Sequence, residues 1–95
     1  MSNNLRTYNA IRVEQRKNGI YLPTIKEITE NVLKDKGTVL KLEEITKQVS
    51  QIINFPRDDS IIGAVSSALK ELKKEGIADH VKHAHWQLKQ NNIQP

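Results

Sequence analysis

The 95-residue chain contains no cysteine, which excludes a disulfide framework, a thiolate metal site and a cysteine nucleophile. Aromatic residues make up only 4% of it, so a buried core has to be built from Ile, Leu and Val. No apolar run approaches the length of a membrane-spanning helix, and the N-terminus lacks the apolar segment of a signal peptide. We therefore expect an intracellular, cytoplasmic protein with no membrane partner.

Motifs that carry catalytic chemistry are also missing. The sequence has neither a Gly-x-Ser-x-Gly turn nor a glycine-rich phosphate loop. Its two acid pairs, Glu43-Glu44 and Asp58-Asp59, consist of adjacent residues, which diverge at a helix start instead of converging on one substrate. We expect no enzymatic activity and no cofactor.

Positive charge is present and unevenly distributed. The net charge is +4 and the sequence pI is about 9.5. Residues 1–20 hold four basic side chains and one acidic one, and residues 60–95 hold five lysines against three acidic side chains. This excess permits a polyanionic partner. The alternative is that these side chains simply solvate a small domain.

The N-terminal segment "LRTYNAIRVEQRKNG" fits two structures. Leu5, Tyr8 and Ile11 follow helical spacing, whereas Ile11 and Val13 before Asn18-Gly19 also suit a hairpin. We prefer the helix because Arg, Gln, Glu and Lys dominate residues 14–17. We expect residues 1–4 to be frayed.

Two helices with a short strand between them are predicted next. Thr24 and Glu27 form a capping-box pattern, and Gly37 supplies a left-handed stop. The β-rich stretch "TVLK" (residues 38–41) is long enough only for a small strand. A second amphipathic helix follows, carried by Leu42, Ile45, Val49, Ile52 and Ile53.

A third helix and a hairpin complete the pattern. Pro56 ends the preceding helix, and Asp58 or Asp59 is the candidate N-cap of the next. The apolar positions of this third helix fall on one side of a helical wheel, and Gly76 ends the helix. They are Ile61, Ile62, Val65, Ala68, Leu69 and Leu72.

Two alternating runs then follow, with Lys82 and His83 as the tip between them. The runs are Ile77, Asp79, Val81 and Ala84, Trp86, Leu88.

The predicted fold is mainly α with a small β-hairpin, an α+β class. The order from residue 23 is α-β-α-α-β-β, the order of the winged helix-turn-helix. We divide the chain into a basic, helical N-terminal extension (1–22), a winged-helix domain (23–89) and a disordered tail (90–95).

The stretches "TIKEITENVLKDKGTVLKLEEITKQV" and "IIGAVSSALKELKKEGI" with "HAHWQL" resemble winged-helix modules attached to restriction endonucleases and chromatin regulators, the HARE-HTH type above all. The matching positions are core and turn residues, so the resemblance implies the fold more than a partner. They are Glu44, Ile45, Leu69, Leu72, Gly76, Trp86 and Leu88. The segment "YNAIRVEQRKNGIYLPTIKEI" is also similar to the opening of SOS-type repressor DNA-binding domains, although it has one proline where those have two.

Binding of duplex DNA is the function that this fold favours, by a small transcription regulator or an accessory module. In winged-helix proteins the third helix enters the major groove and the hairpin contacts the backbone. Small residues on the outward face of the helix admit a close approach, and lysines neutralise phosphates. The predicted contacts are Arg57, Ser60, Gly63, Ser67, Lys70, Lys74, Lys82, His83 and His85.

Other partners remain open. Asp58 and Asp59 oppose phosphate at the N-terminus of the third helix, and the same face suits a protein–protein adaptor, such as a phage-like regulator. Two roles remain open for the N-terminal segment: it extends the DNA footprint with Arg12 and Arg16, or it forms a homodimer contact. We expect no metal site, because His80, His83 and His85 lack a fourth ligand of suitable placement.

Overall fold

The computed structural model describes residues 3–89, with four helices and three strands. The elements in chain order are α1 (Asn4–Lys17), α2 (Ile25–Lys36), β1 (Leu40–Lys41), α3 (Leu42–Ile53), α4 (Asp59–Lys74), β2 (Ala78–Lys82) and β3 (His85–Leu88). The expected mainly helical α+β class is confirmed. The predicted third helix is α4, because the N-terminal extension supplies a helix of its own. The predicted tail, residues 90–95, lies outside the described residues.

The N-terminal segment is the helix α1, so the hairpin alternative is wrong. Our expectation that residues 1–4 are frayed is also wrong for Asn4, which is buried at 9% exposure. Its side-chain Nδ2 donates to the Pro56 carbonyl at 2.6 Å. Asn3 caps the helix by accepting from the Arg6 N–H. Met1 and Ser2 lie outside the described residues.

The start and end of α2 follow the predicted local signals. The Thr24 hydroxyl accepts from the Glu27 N–H, and the Glu27 carboxylate accepts from the Thr24 N–H, which completes the capping box. Gly37 ends the helix in the left-handed conformation, at φ 63°. Each of these contacts spans four residues or fewer along the chain.

The three strands form one antiparallel sheet in the order β1-β3-β2. The strand expected at residues 38–41 is limited to Leu40–Lys41. The predicted tip is displaced by one residue: Lys82 still belongs to β2, and Ala84 turns the chain at φ 60°. A bulge between His80 and Lys82 absorbs the extra residue.

The alternation predicted for β2 is also displaced by one residue. Ala78 is 1% exposed and Val81 is 47% exposed, so Ala78 takes the inward position. Ala78 pairs with Leu88 and His80 pairs with Trp86, and directly paired residues share a face of the sheet. Ile77 lies before the strand begins, so the alternation starts one residue later than the sequence suggests.

One buried cluster joins the helices and the sheet. It includes Leu33 of α2, Ile45 of α3, Leu69 of α4 and Trp86 of β3. Tyr8 of α1 belongs to the same cluster and donates a hydrogen bond from its hydroxyl to the Pro23 carbonyl at 2.6 Å. The extension is therefore packed onto the core. Across residues 3–89, no helix is both long and apolar enough to cross a membrane.

Candidate nucleic-acid interface

The residues predicted to contact DNA fall into five places on the surface. The first is the N-terminus of α4, with Ser60. The second is a shallow groove beside Gly63 and Ser67, and the third is a depression beside Lys70 and Lys74. Lys82, His83 and His85 lie around the hairpin tip, and Arg57 lines a cleft on another side of α4.

The N-terminus of α4 is occupied by α1. The Asn4 N–H donates to Asp58 Oδ2 at 2.9 Å, and the Leu5 N–H donates to Ser60 Oγ at 3.0 Å. Asp58 Oδ1 also accepts from the Ile61 N–H and from the Ser60 hydroxyl. One carboxylate therefore caps α4 and accepts from the first turn of α1, and the Ser60 hydroxyl is engaged within the chain.

These hydrogen bonds set the charge at this end of α4. The Ser60 hydroxyl, followed by the Asn4 N–H, holds the pKa of the Asp58 carboxyl below its usual range. Asp58 is thus an anion at neutral pH, and Asp59 adds a second carboxylate. The end of the helix that contacts bases in many helix-turn-helix proteins is here acidic and partly covered.

The middle of α4 presents small residues to a shallow groove. Gly63 and Ser67 are exposed, Ala64 is half-buried, and Leu5 of α1 lines the same groove. A methyl group built on Gly63 would meet no atom of the described residues within 4 Å. The absence of a side chain at position 63 is therefore not explained by close packing against another helix of this chain.

The C-terminal half of α4 forms the wall of a basic depression. Lys70, Lys73 and Lys74 line it together with His80 and Trp86 of the hairpin, and Glu71 supplies the one carboxylate. All three lysines are exposed. No ion pair within residues 3–89 involves them, so their charge is available to a partner. We name this surface the lysine depression.

The floor of the lysine depression is aromatic. The His80 and Trp86 rings are stacked, with centroids 4.2 Å apart and planes inclined by 10°. Trp86 is 6% exposed, whereas His80 is exposed. The imidazole thus covers the indole and presents its own face and edge to the depression.

The hairpin tip carries the remaining predicted contacts. Lys82 and His83 are exposed, and His85 is half-buried. His85 Nδ1 lies 2.7 Å from the His83 carbonyl. Because a carbonyl can only accept, Nδ1 is the donor in this contact, and only Nε2 is left for a partner. No group of three metal-ligating side chains is found in the described part of the chain.

Two features of this surface were not identified from the sequence. Neither Lys73 nor His80 is among the DNA contacts that the sequence predicted. A helical wheel includes Lys73 in the outward face of α4 if that face is taken to cover a wider angle. The position of His80 against Trp86 depends on the strand register, for which the sequence carries no local signal.

Comparisons with protein-family models, with curated proteins and with solved structures found no match to this chain. The resemblance to HARE-HTH modules therefore stays a prediction.

Proposed function

We propose that the chain is a winged helix-turn-helix protein that binds duplex DNA through the lysine depression and the hairpin tip. The element order from α2 to β3 supports this fold. The observation that carries the function is the lysine depression itself: three lysines of one helix, which form no ion pair with any residue from 3 to 89, lie beside an exposed imidazole of the adjoining hairpin. Lysine and other polar side chains grouped on one surface make most of the contacts that proteins form with DNA phosphates.

The mode of binding follows from the two ends of α4. Its N-terminal end is acidic and holds α1, whereas its C-terminal end is basic and open. The lysine depression offers neither Arg, Asn nor Gln, the side chains that most often make bidentate contacts to bases. The protein therefore contacts backbone phosphates and recognises the shape of the duplex. It makes few direct contacts to the bases.

Salt dependence tests this proposal. Each phosphate neutralised on duplex DNA contributes a slope of about −0.9 in log K against log salt. Fluorescence anisotropy with a labelled duplex is expected to give a slope of roughly −3 to −4, for the three lysines of the depression and Lys82. The double variant Lys70→Gln/Lys74→Gln is expected to reduce the magnitude of this slope by about 1.8, because two phosphate contacts are lost.

A control variant separates local contacts from overall charge. Lys34→Gln/Lys36→Gln removes the same charge from the last turn of α2, where both side chains are exposed. It is expected to leave the slope nearly unchanged. Equal effects of the two double variants would show that DNA responds only to net charge and would refute the proposed surface.

A protein adaptor is the second candidate, favoured by the groove at Gly63. The groove is lined mainly by small and apolar side chains, and its acidic residues Asp59 and Glu71 repel phosphate. Lys26 on its edge is hydrogen-bonded to Glu75, which raises the pKa of the Lys26 ammonium. A helix of a partner protein fits such a surface better than DNA does.

Substitution of the glycine tests whether duplex DNA contacts the groove. Gly63→Gln adds a side chain into open space and is expected to leave the fold intact. If DNA binding through the lysine depression is the function, the affinity for duplex changes little. A complete loss of duplex binding would place the contact in the groove instead.

A further inference from the structure

An open cleft of about 570 Å³ lies between α3 and the loop that leads into α4, outside the proposed DNA surface. Lys47 and Arg57 supply two cationic side chains to it, and Gln51 and Asn54 supply two carboxamides. Phe55 and Pro56 give it an apolar side. We name it the α3 cleft.

A buried hydroxyl at the α3 cleft has no partner. Ser50 lines the cleft and is 7% exposed. Its Oγ is the one buried side-chain polar atom within residues 3–89 that makes no hydrogen bond. Buried polar atoms without partners are uncommon in native proteins. A helical serine can return its hydroxyl to the carbonyl four residues earlier, and Thr46 does so toward Leu42 at 2.8 Å, but Ser50 does not.

The charges at the α3 cleft are incompletely compensated. Glu43 Oε1 lies 3.9 Å from Arg57 Nη1, and the Glu43 side chain is largely exposed. That distance is too long for a hydrogen bond, so the guanidinium keeps its donors for another acceptor. Lys47 takes part in no ion pair within the described residues. The cleft therefore carries one net positive charge.

We propose that the α3 cleft binds a phosphoryl group. The planar fork of Arg57 suits two phosphate oxygens, and Lys47 supplies a point charge. The Ser50 hydroxyl and the carboxamides of Gln51 and Asn54 are neutral donors of the kind that complete a phosphate site. The apolar side at Phe55 and Pro56 accommodates the organic part of a phosphate ester. The group belongs either to a free phosphate compound or to a DNA backbone, and the site is separate from the lysine depression.

The test is an NMR titration of the full ¹⁵N-labelled chain. Inorganic phosphate, adenosine monophosphate and a short duplex are added in separate experiments, with ionic strength held constant by sodium chloride. We expect saturable shifts at Lys47, Ser50, Gln51, Asn54 and Arg57. Saturation by phosphate or by the monophosphate identifies a free phosphoryl compound. Shifts of the cleft with duplex alone identify a backbone phosphate.

Variants assign the binding to particular side chains. Lys47→Gln/Arg57→Gln is expected to weaken binding about tenfold or more, since charged hydrogen bonds are lost. Glu43→Gln is expected to strengthen it, because the competing carboxylate is removed. The control Lys34→Gln/Lys36→Gln removes two positive charges from the last turn of α2, outside the cleft, and is expected to leave phosphate binding at the cleft unchanged.

Ser50→Ala distinguishes a ligand donor from a structural hydroxyl. It is expected to weaken phosphate binding several-fold while the midpoint of thermal unfolding stays the same or rises, because an unpartnered buried hydroxyl is removed. Shifts that grow linearly without saturating, or that sodium chloride reproduces, would overturn the proposal. Shifts of Lys70 to Lys74 with duplex report on the DNA surface independently, so failure of one proposal leaves the other testable.

Discussion

Trp86 is the side chain through which the hairpin is packed against the helices. It is 6% exposed and belongs to the buried cluster, with Leu40 opposite it on β1 and His80 stacked on its outer face. Truncation of a buried tryptophan to alanine removes about 3–5 kcal/mol of unfolding free energy. A chain of this length is stable by roughly 5–14 kcal/mol. Trp86→Ala therefore removes about a fifth of the stability or more.

The assay is urea denaturation followed by far-ultraviolet circular dichroism. Trp86 is the only tryptophan, so its fluorescence is lost in the variant and cannot report on both proteins. His80→Ala is the matched control, since it removes the exposed partner of the stacked pair and leaves the buried ring. It is expected to lower the unfolding free energy by about 0.5–1.5 kcal/mol, the value of an aromatic pair.

The two variants together decide whether the hairpin depends on the indole. If Trp86→Ala lowers stability by no more than His80→Ala, the indole does not anchor the sheet, and the packing described above is refuted. A loss of about 3 kcal/mol or more, with a smaller loss for His80→Ala, supports it.

Three further substitutions test other parts of the chain. Asn4→Ala removes the donor to the Pro56 carbonyl and is expected to lower the unfolding free energy by about 1–2 kcal/mol in urea denaturation; an unchanged midpoint would contradict the docking of α1. Asp58→Asn is expected to lower the melting temperature most near pH 7. The folded-state pKa of Asp58 is depressed, so its contribution is present above the ordinary aspartate pKa of about 3.9 and is lost as the pH falls through the lower folded value. Melting curves from pH 7 to pH 2 check this, with Asp59→Asn as control, because no hydrogen bond to that carboxylate is found within residues 3–89. Gly63→Ala is expected to stabilise the fold by about 0.5–1 kcal/mol, since the added methyl meets open space in a helix interior; a lower urea midpoint would show that the methyl is not accommodated.

Local interactions made much of the fold predictable. The capping box of Thr24 and Glu27, the stop at Gly37 and the apolar stripe of α4 each depend on residues within a turn or two of one another. Such contacts are encoded by spacing alone. The outward positions of Lys70 and Lys74 followed from the same helical period, so two cations of the lysine depression were predictable before the structure was seen.

Contacts between distant residues were not predictable from the pattern. Asn4 and Asp58 are 54 positions apart, and no spacing rule connects them. An alternating strand offers two faces, and a shift of one residue exchanges them. The burial of Ala78 in place of its neighbours was decided by the pairing with Leu88 and by the bulge near His80.

The sequence by itself therefore determined the helices α2, α3 and α4, the position of the hairpin and where much of the positive charge lies. The tertiary structure decided which charges act together. Asp58 is held by α1, the three lysines of α4 meet His80 on one surface, and Arg57 lies in the α3 cleft instead. The physical reason is that helix periodicity follows from neighbouring residues, whereas the assembly of a site requires helices and strands from distant parts of the chain to pack together.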